Sequence, residues 1–183
     1  MGVTYYVRAY ASNSFGTAYG VQRSFTPKLV IGDSYQGGII AYIDNTGQHG
    51  LIAAPTDQST GIRWNNGSYI TIGATGLTIG TGQSNTIKII QAQGNGSYAA
   101  KLCDDLVLNG YNDWFLPSKD ELNILYQNKN LIGGFISNAY SYYWSSSEYD
   151  ISRAWDHIFS SSSSGQSNTN KNNTFRVRAV RYF

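Results

Sequence analysis

Charge is the first thing this chain has little of. Only 13% of its 183 residues are charged, about half of the ~25% usual for a soluble domain. The 13 basic and 11 acidic residues leave a formal charge of +2. Arg176, Arg178 and Arg181 form the one dense basic group, and they alternate with Val177, Ala179 and Val180 as in a strand. Specific nucleic-acid binders show clustered basic faces, so nucleic acid is not an expected partner. There is a single cysteine, Cys103, among 183 residues, which excludes an intrachain disulfide. It lies in Ala99-Ala-Lys-Leu-Cys-Asp-Asp-Leu-Val-Leu108, on the apolar face of an expected helix, and reads as a buried structural thiol. The two histidines, His49 and His157, stand far apart with no cysteine or carboxylate at zinc spacing. No Glu-Pro-Asn type motif points to a lectin calcium site. No apolar run is long enough to span a bilayer. No secretion signal follows Met1, and the chain reads as beginning inside a domain. No cofactor is expected.

What replaces charge is Ser, Thr, Asn, Gln, Gly and Tyr. The 15 tyrosines are a strong excess. Such a mixture favours strands, turns and hydrogen-bonded surfaces over long solvated helices. It is also the mixture of paratopes, where Tyr gives large contact area at low entropy cost. Asp120 and Glu121 suit the positive end of a helix. Gly80-Thr-Gly82 is a fragment of a phosphate-loop pattern, with no Lys-Ser/Thr after it. Ser145-Ser-Ser147 with His157 invites a nucleophile reading, but no Gly-x-Ser-x-Gly elbow surrounds the serines.

Thr4-Tyr-Tyr-Val-Arg-Ala-Tyr10 and Tyr19-Gly-Val-Gln-Arg-Ser-Phe-Thr26 flank an Asn13-Ser-Phe-Gly16 turn and make a hairpin. These phrases resemble the last two strands of a fibronectin type III sandwich, over residues 1–27. A lone hairpin is marginal in water, so it should pack on the main domain, a symmetry mate or a neighbour. Residues 28–183 form the second unit. A connector leads to a strand Ile39–Ile43, a turn Asp44–Gly47 and a return strand His49–Ala54. A loop anchored by Trp64 follows. Ser84 to Gln91 opens a short helix. Ser97 caps a helix running to about Leu108, with Gly110 as its stop. Ser118 and Glu121 form a capping box for a helix ending near Asn128. Beyond it, short strands and long loops are expected.

From Gly37 onward the chain resembles the C-terminal ligand-binding domain of collagen-like bacterial adhesins. The resemblance rests on Gly50-Leu-Ile-Ala-Ala-Pro55, Gly110-Tyr-Asn-Asp-Trp-Phe-Leu-Pro-Ser-Lys-Asp-Glu-Leu122, Tyr143-Trp-Ser-Ser-Ser-Glu148, Ala154-Trp155, Lys171 and Arg176-Val-Arg-Ala-Val-Arg181. It implies an α+β, C-type lectin-like fold: two helices flanking a small twisted antiparallel sheet, plus the N-terminal β-hairpin. Some members resemble the variable proteins of diversity-generating retroelements. Adenine-only changes of an AAC or AAT codon cannot yield Trp, Glu, Lys, Gln or Met. In Glu148 to Asn173 the unreachable residues are Glu148, Trp155, Gln166 and Lys171, which is consistent with such diversification, as it is with any Ser/Asn-rich loop.

The expected function is therefore non-enzymatic ligand binding, by an adhesin or receptor-recognition surface. Trp144, Trp155, Phe159 and Lys171 serve as framework. Tyr149, Asp150, Ser152, Arg153, Asp156, His157, Ser160, Ser162, Asn168 and Asn170 are the expected ligand contacts, projecting outward. The partner is a protein or glycan on another cell surface, without membrane insertion, and a homo-oligomer is compatible. The setting is the bacterial cell surface or a phage virion. The alternative is a fixed-specificity adhesin for sulfated glycans or glycosaminoglycans, with Arg153 and the Arg176/Arg178/Arg181 strand supplying cations. A mobile, functionless loop, most credible at Ser161–Ser164, and a structural spacer module are the remaining readings.

Overall fold

The computed structural model describes residues 4–138, 140–160 and 164–183, with the side chain of Ser164 not described. Four short strands open the chain: β1 (Tyr5–Val7), β2 (Tyr10–Asn13), β3 (Gly16–Tyr19) and β4 (Arg23–Phe25). β1 pairs with β4, and β2 with β3. The bond from Gly20 N to Ala9 O (2.8 Å) bridges the two halves, so they form one interrupted hairpin. Residues 4–28 are all exposed, so the hairpin does not pack on the rest of the chain as one of the three expectations had it. Its aromatic residues pair along the ribbon instead: Tyr5 stacks on Phe25, and Tyr10 tilts against Tyr19.

Then come β5 (Ser34–Tyr35), β6 (Gly38–Ile43), β7 (Gly50–Ala53), β8 (Ser59–Ile62), α1 (Gly82–Gln93), α2 (Ala99–Asp104), α3 (Lys119–Gln127), α4 (Lys129–Ile132), β9 (Tyr142–Glu148), β10 (Arg153–Phe159), β11 (Ser164–Asn170), β12 (Phe175–Val177) and β13 (Val180–Tyr182). The class is α+β. One sheet has the order β11-β10-β9-β12-β8, the other β13-β7-β6-β5. The C-terminal strand thus joins the hairpin β6–β7 along β7.

Strand β9 divides the core. Successive strand residues point to opposite faces, and the neighbours Tyr143 and Trp144 fall in different clusters. Trp144 packs with Trp64, Ile89, Tyr98, Cys103 and Trp114, beneath α1 and α2. Tyr143 packs with Phe115, Leu122, Leu125, Phe159 and Val180, beneath α3. Each such large side chain contributes roughly 1.5–3 kcal/mol by burial. Burial also pushes the Cys103 thiol well up, in keeping with an inert structural thiol.

The capping box at α3 is complete: Ser118 Oγ accepts from Glu121 N (3.3 Å), and Glu121 Oε2 accepts from Ser118 N (2.7 Å). Glu121 Oε1 also accepts from Gly80 N (2.8 Å) and from the Tyr182 hydroxyl (2.5 Å). The Gly80-Thr-Gly82 turn therefore wraps a carboxylate of its own chain. A Cβ at position 82 would stand 2.2 Å from Glu121 Oε2, which is why glycine is required there.

Three expectations need correction. The helix after Ser97 stops at Asp104, and its N-cap position is Tyr98, whose side chain makes no cap bond. Leu108 and Tyr111 instead pair with each other across Asn109 (φ 52) and Gly110 (φ 83). This is the two-residue Asn-Gly hairpin turn with both φ positive, and it competes successfully with helix continuation. The C-terminal arginine segment is two strands, not one, because β12 pairs with β8 and β9 whereas β13 pairs with β7. A short helix, α4, follows α3 where only strands and loops were expected.

Candidate functional site

The turn between β9 and β10 carries the exposed chemistry. Asp150 Oδ1 accepts from Ser152 N (2.9 Å), Ser152 Oγ (3.0 Å) and Arg153 N (2.7 Å), which closes the turn. Its Oδ2 is 2.6 Å from Arg153 Nη2. The hydrogen bond from Arg153, with the turn donors, holds the Asp150 carboxyl well below the usual carboxylate range. Arg153 then reaches Asn168 Oδ1 (2.9 Å) and lies 4.5 Å over the Tyr149 ring. Tyr149 meets Trp155 edge-on at 5.4 Å. Lys119 Nζ sits 4.6 Å over the other part of this cluster, the Trp155 ring. Tyr149, Arg153, Trp155, Lys119 and Asn168 thus form one continuous aromatic and cationic surface. Tyr149 is 46% and Ile151 51% exposed; Trp155 and Lys119 are half-buried. Tyr69 joins at the margin through its hydroxyl, 2.6 Å from Asn170 Oδ1.

The floor beneath is rigid. Lys171 is fully buried, with Nζ 2.6 Å from Glu148 Oε1 and 3.1 Å from Ile151 O, and 4.6 Å over the Trp64 ring. Glu148 also accepts from Ile72 N (3.0 Å) and Gly73 N (2.7 Å). Trp144 and Phe159 are fully buried.

Three expected contacts do not project outward. Asp156, His157 and Ser160 are 1–2% exposed. Polar side chains interspersed with Trp155, Ile158 and Phe159 hide the reason, which is that α3 covers one face of β10 and the core covers the other. His157 stacks on Tyr126 (4.5 Å), its Nε2 lies 3.2 Å from Asn123 Oδ1 and its Nδ1 3.0 Å from Ile158 O. It does not engage the serine run: Ser145 Oγ donates to Trp155 O (2.7 Å) and Ser147 Oγ to Gly76 O (2.6 Å). Ser162 lies outside the described residues. Tyr149, Asp150, Ser152, Arg153, Asn168 and Asn170 do come together. Lys119 and Tyr69, which complete the surface, were missed. They are distant in the chain, and no local pattern marks them.

Burial keeps the His157 imidazole below its ordinary 6.5, which favours the neutral ring in the fold at neutral pH. The unfolded chain takes up a proton as pH drops through 6.5, and stability falls with it until the folded imidazole also titrates. Unfolding midpoints recorded across this acid range should decline in the native chain, and the decline should flatten in His157→Gln. Asp156 behaves oppositely. Burial raises its pKa, against hydrogen bonds from Thr169 and Ser167, and its Oδ2 has no partner among the described residues. Its ionised form therefore costs stability above the raised pKa and not below 3.8. Asp156→Asn should stabilise the protein at neutral pH by about 1 kcal/mol, the lower range for a buried unsatisfied group. Chemical denaturation at neutral and acid pH checks this, since the gain should shrink on acidification.

Among the described residues no group of three or more His, Cys, Asp or Glu is placed to hold a metal ion, and no helix is long and apolar enough to cross a membrane.

The fold resembles the crystal structure of a fimbrial protein from Bacteroides ovatus ATCC 8483, with a TM-score of 0.51 at 13% identity. The likeness covers 78% of this chain but 43% of that one. No curated protein matches the chain. The family model of the Lcl C-terminal domain matches residues 54–181, a span that runs from the end of β7 through the capping box and the β9–β10 turn to β13. With that match over most of its length, the chain belongs to the Lcl C-terminal domain family.

Proposed function

We propose that this is a ligand-recognition domain of a surface-exposed bacterial or phage protein, of C-type lectin-like architecture, that grips a protein or glycan on another cell. The observation carrying this reading is the Tyr149–Arg153–Trp155–Lys119 surface, held over a buried ion pair. Exposed Tyr, Trp and Arg on a fixed frame are what binding hot spots are built from. Family membership supports an adhesin-like role, and the N-terminal ribbon fits the end of a fibronectin-like module. Diversification by a retroelement, on this reading, acts on Tyr149, Asp150, Ile151, Arg153, Asn168 and Asn170, and spares buried Asp156, His157 and Ser160.

The sulfated-glycan version is weakened by where its cations lie. Arg178 and Arg181 are buried, and Arg176 and Arg178 pair with Asp57 while Arg181 pairs with Asp113. Arg153 is held by Asp150. The surface offers more ring area than free cation. Binding, found by screening glycan and surface-protein arrays, should therefore persist at moderate salt. Tyr149→Ala should weaken it by roughly 2 kcal/mol, about 30-fold. Undiminished binding by Tyr149→Ala and Lys119→Ala together overturns the site.

A further inference from the structure

We infer that the outer edge of β11 is a pairing surface for a second copy of this chain. The argument starts from a contrast between sheet edges. β5 has two residues. β13 has three, carries Arg181, and is covered by a bridge from Val180 to Phe115. β8 has four, and its register with β12 slips between Phe175 and Val177. β11 has seven, in unbroken register with β10 from Phe159↔Ser164 to Arg153↔Asn170. It contains no proline and no charged residue. Edges are ordinarily blunted by shortness, bulges, proline or charge, because unpaired backbone groups template further pairing. Of the four edges of the two larger sheets, three are blunted or covered, and among the described residues β11 is not.

The phase of the ladder is fixed by two bonds. Lys171 N donates to Ser152 O (2.9 Å), and on the far side of β10 Phe159 N donates to Ser141 O (2.8 Å). By antiparallel alternation, residues 165, 167 and 169 turn their backbone groups toward β10. Residues 164, 166, 168 and 170 turn theirs outward. Among the described residues no strand pairs with this outer side, and Gly165, Ser167 and Asn170 are exposed.

A second copy fits this edge because the edge is self-complementary. Antiparallel pairing about a two-fold axis through Ser167 sets Gln166 opposite the partner's Asn168. Amide then faces amide, with no like charges opposed and only a small hydroxyl side chain on the axis. Such an isologous contact closes on itself as a dimer. The two sheets become continuous. The Trp155 surfaces then lie on one face, three strand spacings or about 15 Å apart, so two ligand sites act together.

Sedimentation of the full chain over a wide concentration range tests this. A reversible dimer is expected. Gln166→Pro removes an outward N–H while leaving the β10 ladder intact, and should give monomer. Gln166→Ala loses the same side-chain bond to Lys119 O but keeps the N–H, and should remain dimeric. Thermal unfolding of both reports whether they fold. Independently, Ser167→Cys should cross-link under mild oxidation, because directly opposed non-hydrogen-bonded residues sit about 4.5 Å apart at Cα, within disulfide reach. Thr169→Cys should not cross-link, and native Cys103 is buried. A monomer at every concentration, a dimer that survives Gln166→Pro, or no Ser167→Cys cross-link overturns the proposal.

Discussion

Replacing Lys171 by methionine should cost roughly 3–5 kcal/mol, the range for breaking a buried ion pair from one side. Lys171 and Glu148 have side-chain exposures of 0% and 2%. Without the ammonium, the carboxylate stays buried with only the N–H groups of Ile72 and Gly73 to stabilise it. A domain of ordinary stability holds about 5–15 kcal/mol in total, so this single change removes much of it. The loss has a functional side, because Lys171 also holds Ile151 O in the β9–β10 turn, next to Tyr149. The double variant Lys171→Met with Glu148→Gln should be less destabilised than the sum of its parts, by more than about 1 kcal/mol. Its amide can still accept from Gly73 N and leaves no uncompensated charge. Urea unfolding of the four chains measures the cycle. A single-variant loss below about 1 kcal/mol would mean that the pair is a poor account of the floor.

Arg178→Met should be as damaging, at about 3–5 kcal/mol. The guanidinium is fully buried and works as a staple. Its Nε donates to Asp57 Oδ1 (2.8 Å), its Nη1 to Ala54 O (2.9 Å) and Pro55 O (3.2 Å), and its Nη2 to Gly134 O (2.5 Å), while the plane lies 4.1 Å from the Phe135 ring centre. It thus ties the end of β7, the loop after α4 and the C-terminal segment together. Asp57 in turn accepts from Arg176 (3.1 Å) and from the Tyr143 hydroxyl (3.0 Å). Burial first, and then the Asp57 charge, push that hydroxyl well above its usual range. Arg178→Lys keeps the charge but not the planar fork. It should recover only a minor part of the loss in the same urea measurements, and full recovery would show that charge alone matters.

Several elements could be read from the chain because their causes are local. The Ser118–Glu121 box is a four-residue pattern, and it caps α3. The Asp44–Gly47 turn separates two apolar runs, and β6 and β7 form around it. Leu108-Asn-Gly-Tyr111 carries a legible hairpin signal, which a reading of Gly110 as a helix stop leaves unused. The capping residue of α1 was less legible: Thr81 makes no side-chain cap bond, so the helix starts two residues earlier than Ser84 suggested.

The sequence by itself determined the composition-level character of this protein: sparse charge, abundant Tyr and small polar residues, one inert thiol, a helix with its own cap, and motifs sufficient to place the family. Only the tertiary structure decided which polar residues of the β9–β11 region face out. A period-two pattern marks a half-buried strand by alternating apolar and polar residues, but β10 is covered on both faces, so Asp156 and His157 vanish inward together. In the same way only folding brought Lys119 over Trp155, and sent Arg176, Arg178 and Arg181 inward to Asp57 and Asp113. Partners that are remote in the chain are chosen by packing, and no local spacing records that choice.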